Sequence, residues 1–407
     1  MSSSALLIRV TGHDRPGVTH ALTSILARYE ARVLDIGQAV IHDGLAFGIL
    51  VELPESLRSS ALLTDLLLES HRLGVEVQFS ASSSAEYDTW VAAQSRRRFI
   101  ITVLGPAITA GHIASVSGIL SGAGLNIDRI ERLSSRIPLE PADSQQRFCV
   151  EFTATPASHV DTDEDRVRTE LARMTDAGDV DVAFQHDSIF RRNRRLVAFD
   201  MDSTLIQGEV IDELARHAGV GDRVSAITER AMRGELDFQQ SFRQRVALLK
   251  GLPESALQRV VNEVPLTDGA ERLVSTLRRL GYKTAILSGG FTFFGRVLQD
   301  RLGIDHLHAN TLDIRDGIVT GEVVPPIVDG AGKAERLAEI AAREGLSLEQ
   351  CIAVGDGAND LPMLRLAGLG IAFRAKPLVR SSAKQSISAM GLDGILYLIG
   401  VRDRDLS

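Results

Sequence analysis

Two aspartates one residue apart close an apolar run in Leu196-Val197-Ala198-Phe199-Asp200-Met201-Asp202-Ser203-Thr204. A short apolar run of this kind reads as a buried parallel strand. Open α/β sheets bind their ligands at the carboxyl ends of such strands. Asp200 and Asp202 point the same way only if the chain stays extended across Met201. Two carboxylates that close repel by roughly 4 kcal/mol at an effective dielectric of about 20. A hard divalent cation, Mg²⁺, offsets the repulsion and keeps positions for water and a phosphate.

Three later segments carry matching chemistry. In Ala285-Ile286-Leu287-Ser288-Gly289-Gly290 a hydroxyl at a strand end precedes two glycines, so backbone N–H groups can approach an oxyanion closely. Lys333 opens a helix in Gly332-Lys333-Ala334-Glu335. A cation there works against the helix dipole and is better placed to hold a phosphate. Ala353-Val354-Gly355-Asp356-Gly357-Ala358-Asn359-Asp360 ends another apolar run in carboxylates. Asp356 completes a metal set with Asp200 and Asp202, and Asp360 sits nearby as a supporting ligand or an outer partner.

The elements that must position these groups alternate between strand and helix from about residue 195. Strands are expected at 196–200, 284–288, 351–355 and 370–373. Between the first two, residues 209–263 are helical, with Phe238, Phe242, Val246 and Leu249 at amphipathic spacing. An all-helical insertion at that point reads as a cap over the strand ends. Asp316-Gly317 between alternating apolar residues marks a hairpin over 312–323.

The first half holds a degenerate repeat. Ile8-Arg9-Val10-Thr11-Gly12 lines up with Ile101-Thr102-Val103-Leu104-Gly105, Ser24-Ile25-Leu26 with Gly118-Ile119-Leu120, and Val33 and Ile36 with Ile127 and Ile130. Each copy reads strand, glycine-bearing loop, helix (18–30 and 112–123), strand, strand, helix, strand, which makes two small α+β units. The expected layout is residues 1–80, a linker at 81–97 in which Trp90 is a packing anchor, 98–186, and 195–407 with the cap at about 209–265. The fold class is therefore α/β, a Rossmann-like parallel sheet core with an inserted all-helical cap, preceded by two α+β ferredoxin-like units.

Composition bounds the rest. A chain of 407 residues, 44% hydrophobic and 24% charged, is an ordinary globular one of two or three domains. The net charge of -8 argues against nucleic-acid affinity. The basic run Arg191-Arg192-Asn193-Arg194-Arg195 reads as a solvated lead-in to the next strand, and 161–165 as a solvated helix start. Cys149 and Cys351 sit in apolar surroundings and read as buried thiols of a reducing compartment. There is no signal peptide and no membrane-length apolar span, so a cytoplasmic location is expected, with no membrane partner.

The repeat resembles the ACT domain, a βαββαβ module that binds amino acids and regulates attached enzymes. Gly12-His13-Asp14-Arg15-Pro16-Gly17 carries the likeness, since Gly17 before a helix leaves N–H groups free for a carboxylate. The second loop, Gly105-Pro106-Ala107-Ile108-Thr109-Ala110-Gly111, lacks the Asp-Arg-Pro-Gly string, and Gly111 keeps the helix-start role. The resemblance implies Asp14, Gly17 and Gly111 as regulatory positions, L-serine as effector and a homodimer formed through these modules.

The order carboxylate pair, hydroxyl, lysine, carboxylate pair resembles the haloacid dehalogenase-like phosphohydrolases. Met232-Arg233-Gly234-Glu235-Leu236-Asp237-Phe238, Ser241-Phe242-Arg243-Gln244-Arg245 and Gly355-Asp356-Gly357-Ala358-Asn359-Asp360 are similar to the phosphoserine phosphatase family. That likeness implies L-3-phosphoserine as substrate. Glu209 would take its ammonium and Arg245 its carboxylate, Met232 and Phe238 would form an apolar lid, and Asn359 would touch the substrate. It further implies Asp200 as nucleophile and Asp202 as general acid and base. Mg²⁺ would be held by Asp200, the Asp202 carbonyl and Asp356, and the phosphate by Ser288, Gly289 and Lys333.

Overall fold

The computed structural model describes residues 4–53, 60–93, 97–136, 147–157, 162–176 and 180–406. Its chain divides into two compact units, Met1–Arg96 and Arg97–Ser407.

The first unit contains β1 (Ser4–His13), α1 (Val18–Arg28), β2 (Arg32–Ile41), β3 (Gly44–Glu52), α2 (Ser60–Leu73) and β4 (Val75–Ser83). The strands form an antiparallel sheet in the order β2-β3-β1-β4. Alternation along β3 turns Leu45, Phe47, Ile49 and Val51 inward, onto Val18, Leu22, Ile25 and Leu26 of α1. The stretch read as a linker is structured: β4 runs to Ser83 and α3 (Ser84–Ala93) follows, packing beside β4 and β1. Glu86 reaches back to the Ser83 N–H (2.8 Å) and caps that helix. Trp90 touches Tyr87 (ring centroids 5.9 Å) but stays 40% exposed, so it anchors little. Residues 94–96 of the linker lie outside the described residues.

The second unit opens with the second copy of the repeat: β5 (Phe99–Gly105), α4 (Ala110–Gly122), β6 (Leu125–Arg132), β7 (Phe148–Pro156), α5 (Glu164–Asp176) and β8 (Asp181–His186). Its sheet order, β6-β7-β5-β8, reproduces the first. Asp163 accepts from the Arg166 N–H (3.0 Å) and caps α5, in keeping with the helix start read there; Asp161 lies outside the described residues. β5 is buried at every residue, because α4 and α5 cover one face and the phosphatase-like part covers the other. Leu104, Leu133, Cys149 and Ala183 accordingly belong to the same core as Val197 and Phe199.

The remainder holds β9 (Leu196–Phe199), α6 (Val210–His217), α7 (Gly221–Met232), α8 (Phe238–Ala247), α9 (Glu254–Glu263), α10 (Ala270–Arg279), β10 (Lys283–Phe291), α11 (Thr292–Leu302), β11 (His306–Arg315) and β12 (Ile318–Val324). Then come α12 (Gly330–Arg343), β13 (Cys351–Gly355), α13 (Leu361–Leu366), β14 (Leu369–Phe373), α14 (Pro377–Ser382), β15 (Gln385–Ile387) and α15 (Ile395–Leu398). The seven-stranded sheet runs β12-β11-β10-β9-β13-β14-β15, parallel except for the β11–β12 hairpin. Asp316 and Gly317 both take positive φ (51° and 74°), as a two-residue hairpin turn requires. Helices α6 to α9 are the inserted cap.

The basic run of this unit departs from expectation. The segment 191–195 is not a solvated lead-in. Arg191 is fully buried against Glu151, Arg194 is buried and donates to the Arg191 carbonyl (3.1 Å), and Arg195 lies over the Tyr282 ring. The reason is tertiary: this connector is enclosed between the second α+β module and the sheet that follows. Both cysteines are free and buried. Among the described residues no helix is long and apolar enough to cross a membrane.

Candidate active site

Strand register assembles the site. β9 lies between β10 and β13, and Phe199 pairs with both Ile286 and Val354. Asp200 follows Phe199 directly, while Ser288 and Asp356 follow their partners by two, so all three stand at one end of the sheet's centre. This is the edge where neighbouring connections diverge, the usual ligand crevice of such sheets.

The strand stops at Phe199, one residue short of expectation. Met201–Leu205 is a tight irregular turn with Ser203 at φ 53°, so the chain is not extended across Met201. The two carboxylates therefore take different partners. Asp200 accepts from the Met201 N–H (2.7 Å) and faces the Lys333 ammonium (2.9 Å). Asp202 accepts instead from the Val210 N–H at the start of the cap (2.9 Å).

Lys333 is completely buried and also binds Asp360 (2.6 Å). Burial by itself would lower its pKa, but Asp200 and Asp360 overrule that and hold the ammonium well above its usual value. Asp360 further accepts from the Gly357 N–H (2.9 Å).

Oxygens of Asp200, Asp356 and Asp360 lie within 4.8 Å of one another. The trio with metal-holding spacing thus contains Asp360, while the Asp202 side chain is not part of it. Burial, then the charges of Asp200 and Asp360, push Asp356 up to about 8; burial and Asp200 push Asp360 up to about 7. One lysine cannot neutralise three crowded carboxylates, so a divalent cation fits this donor set. Asp202 is raised well above the ordinary carboxylate value by burial, Glu209 and Asp200.

Two glycines let other elements approach. A methyl at Gly289 would stand 2.9 Å from Phe238 Cζ, so the cap's Phe238 rests directly on the Ser288-Gly289-Gly290 loop. A methyl at Gly290 would collide with the Asp202 carboxylate. The Gly290 N–H donates to Ser288 Oγ (2.9 Å), which tightens that loop. Phe238 stacks on Phe242 (5.8 Å), and Phe242 meets Phe291 (5.7 Å), so an aromatic column ties cap to sheet.

Glu209 precedes α6. It stays accessible to solvent, yet burial and Asp200 raise its pKa, offset by Arg245 from α8. The buried Arg245 Nε has no hydrogen-bond partner among the described residues. Asn359 is half-buried in the turn after β13. Met232, at the end of α7, is 63% exposed, with the Lys376 ammonium 4.0 Å from its sulfur.

The comparisons with known proteins follow the same division of the chain. Residues 197–365 match the haloacid dehalogenase-like hydrolase family, and residues 4–80 and 98–185 each match an ACT domain. A phosphoserine phosphatase of Streptomyces coelicolor is 44% identical over 400 residues, covering 97% of this chain and 92% of that protein. The chain belongs to the phosphoserine phosphatase family. The phosphoserine phosphatase SerB2 of Mycobacterium tuberculosis is 41% identical over 98% of this chain and 93% of its own. A crystal structure of a probable phosphoserine phosphatase from Vibrio cholerae, unliganded, superposes with a TM-score of 0.58 at 34% identity, over 76% of this chain and 89% of that one. The fold and the enzyme class, a phosphoric monoester hydrolase, follow from this membership.

Within this phosphatase fold three polar residues escaped the sequence reading. Asn310 on β11, 1% exposed, donates to the Gly289 and Val328 carbonyls (2.8 and 3.3 Å) and accepts from the Val328 N–H (2.7 Å). It locks the glycine loop to the segment leading into α12. Thr204 Oγ1 lies 3.4 Å from Asp356. Gln239 donates to Asp329 (2.9 Å), latching the cap to the N-cap residue of α12. Thr204 closes the first string and only its contact with Asp356 was missed, whereas Asn310 and Gln239 stand in no recognisable string; a buried asparagine amid apolar neighbours is the one signal that could have drawn attention to Asn310.

Of the positions expected to be regulatory, Gly17 is the N-cap of α1 with φ 98° and no side-chain cap. The Asp14 N–H donates to the Asp43 carbonyl (2.7 Å). Gly111 does not start its helix. Thr109 caps α4, accepting from the His112 N–H (3.3 Å), and Gly111 lies inside the first turn. The threonine side chain supplies an acceptor that glycine lacks and takes the role.

Proposed function

We propose that the chain hydrolyses L-3-phosphoserine to L-serine and phosphate through a phosphorylated Asp200. The observation that carries the reading is the pair Glu209 and Arg245. They feel each other's charge without a hydrogen bond between them, and Arg245 keeps a buried N–H to give. A lone carboxylate and a forked guanidinium beside a phosphate site suit an α-amino acid ester, with the ammonium at Glu209 and the carboxylate at Arg245.

Asp200, oriented by the Met201 N–H, attacks phosphorus as the nucleophile. Ser288 Oγ, the Gly289 N–H and Lys333 hold the phosphate oxygens. Asp202, whose carboxyl is pushed above its ordinary pKa by burial, Glu209 and Asp200, protonates the departing serine Oγ and then takes a proton from the water that cleaves the intermediate. Asp200, Asp356 and the Asp202 carbonyl, with Asp360 in support, would hold Mg²⁺, which when bound would mask phosphate charge so that an anionic nucleophile could approach an anionic ester. Phe238, seated on Gly289, closes the cap over the substrate.

Serine acting at the first ACT module, around Asp14 and Gly17, is the regulatory part of the proposal. Its support is the uncapped start of α1. Pairing of two chains is supported by the edge strand β2, which leaves Val33, Ile36, Val40 and Ile41 exposed. Two buried free thiols fit a cytoplasmic enzyme.

The test is phosphate release from phosphoserine, phosphothreonine and a sugar phosphate, with and without Mg²⁺, by the wild type and Asp200→Asn. Mg²⁺-dependent turnover favouring phosphoserine, lost in the folded variant, is the expected result. Near-wild-type activity of Asp200→Asn would refute the nucleophile, and equal turnover of the sugar phosphate would refute the substrate.

A further inference from the structure

A cleft of about 350 Å³ lies where α5 and β8 of the second ACT module meet α14 and β15 of the phosphatase part. That volume is at the lower end of small-ligand sites, which run from roughly 300 to 1,000 Å³. Its wall carries Arg168, Arg173, Arg380 and Lys384, and its apolar floor includes Leu171 and Val182. Among the described residues no carboxylate lines it, although the chain as a whole carries a net charge of -8. The acids nearest to Arg168 are Glu164 and Asp165 at the start of α5, and Glu164 is engaged with His186 (3.0 Å).

Arg168, Arg173 and Lys384 are only partly used by the protein. Arg168 spends one terminal nitrogen on two carbonyls, Phe184 and Lys384 (3.1 Å each), and lies over the Phe184 ring (5.3 Å). Its Nε and second terminal nitrogen have no hydrogen bond among the described residues, and its orientation is fixed. Arg173 and Lys384 form no ion pair among the described residues. The walls are held rigidly, because the Gln385 amide takes the Phe184 N–H (2.9 Å) and gives to the Phe184 carbonyl (2.6 Å). A fixed guanidinium fork beside further cations in a concave site is the arrangement that recognises a phosphoryl group.

We infer that this cleft is a second, non-catalytic binding site for a small phosphorylated ligand, either inorganic phosphate or a short phosphate ester. Arg168, Arg173 and Lys384 supply the charge for a dianion, and the floor accommodates a short carbon chain. The site is separate from the aspartates, so its occupancy does not depend on which ester the enzyme hydrolyses.

Equilibrium dialysis of the full chain against radiolabelled inorganic phosphate counts the sites directly. Two phosphate sites per chain are expected in the wild type. The double variant Arg173→Glu/Lys384→Glu, with both positions on the surface, is expected to weaken one of them by about tenfold or more. Its turnover in phosphate-free buffer should be unchanged. Unlabelled glycerol 3-phosphate and phosphate then compete for the second site, and the better competitor tells ester from free ion. One site per chain in the wild type, or two undiminished sites in the variant, would overturn the inference.

Discussion

Replacing Gly289 by alanine tests the claim that the cap closes by resting on the phosphate loop. The new methyl would stand 2.9 Å from Phe238 Cζ and 3.4 Å from Cε2, with the Val328 carbonyl at 3.8 Å. Carbon atoms pack at about 3.5–4.0 Å, so Phe238 must retreat by roughly 0.6–1 Å. Asn310 holds the loop from beneath through the Gly289 carbonyl, so the loop cannot yield instead. Gly289 does not take a positive φ, hence alanine is free of backbone strain and the effect is purely one of contact. Overpacking of this size costs about 1–3 kcal/mol, and misplacing a positioning element by about 1 Å can cost on the order of 100-fold in rate. We expect kcat/KM for phosphoserine to fall about 10- to 100-fold while the thermal unfolding midpoint moves little. The decisive measurement is the cycle with Phe238→Ala. With the ring removed the methyl has room, so Gly289→Ala should cost much less in that background. Equal costs in both backgrounds, or an unimpaired single variant, would show that Phe238 does not seat on the loop during turnover.

Arg245→Lys keeps the charge but loses the fork, so kcat/KM for phosphoserine should drop by about 10-fold or more while turnover of a phosphate ester without a carboxylate is unaffected. Equal losses on both would assign Arg245 to packing. Asp181 accepts from the Ser388, Ala389 and Met390 N–H groups (2.6, 2.9 and 3.1 Å), yet burial raises its pKa from 3.8 to about 6. Between those values the folded chain keeps a proton that the unfolded chain has lost, so this group's contribution to stability declines as pH rises from about 4 to about 6. The full decline is about 3 kcal/mol. Asp181→Asn should flatten that part of the stability–pH curve, measured by denaturant unfolding. A curve as steep as the wild type's would place the titration elsewhere.

Much of the catalytic centre was legible because the chemistry sits in short contiguous strings. Each of the four segments couples an apolar run or a helix start to a polar residue, so both the element and its reactive end are local facts. The β11–β12 hairpin was legible for the same reason, since Asp316 and Gly317 alone set the turn. Failures arose where a second element decided the outcome. Arg191 and Arg194 read as solvated because their own neighbours in sequence are polar, yet the second α+β module and the sheet that follows enclose them. Asn310 and Gln239 act on groups far along the chain, and no spacing rule announces such partners.

The sequence by itself determined the repeat, the strand–helix alternation, the capping insertion and which polar groups end the central strands, because periodicity and residue type are local properties. Only the tertiary structure decided how those groups divide their labour. The turn at Met201 sends Asp202 to the cap and leaves Asp200, Asp356 and Asp360 as the clustered carboxylates. Folding also covered the second face of β5, joining the second ACT module to the phosphatase core and creating the basic cleft at their seam. Such arrangements depend on register between strands and on buried surfaces meeting, and neither is written in any one stretch of chain.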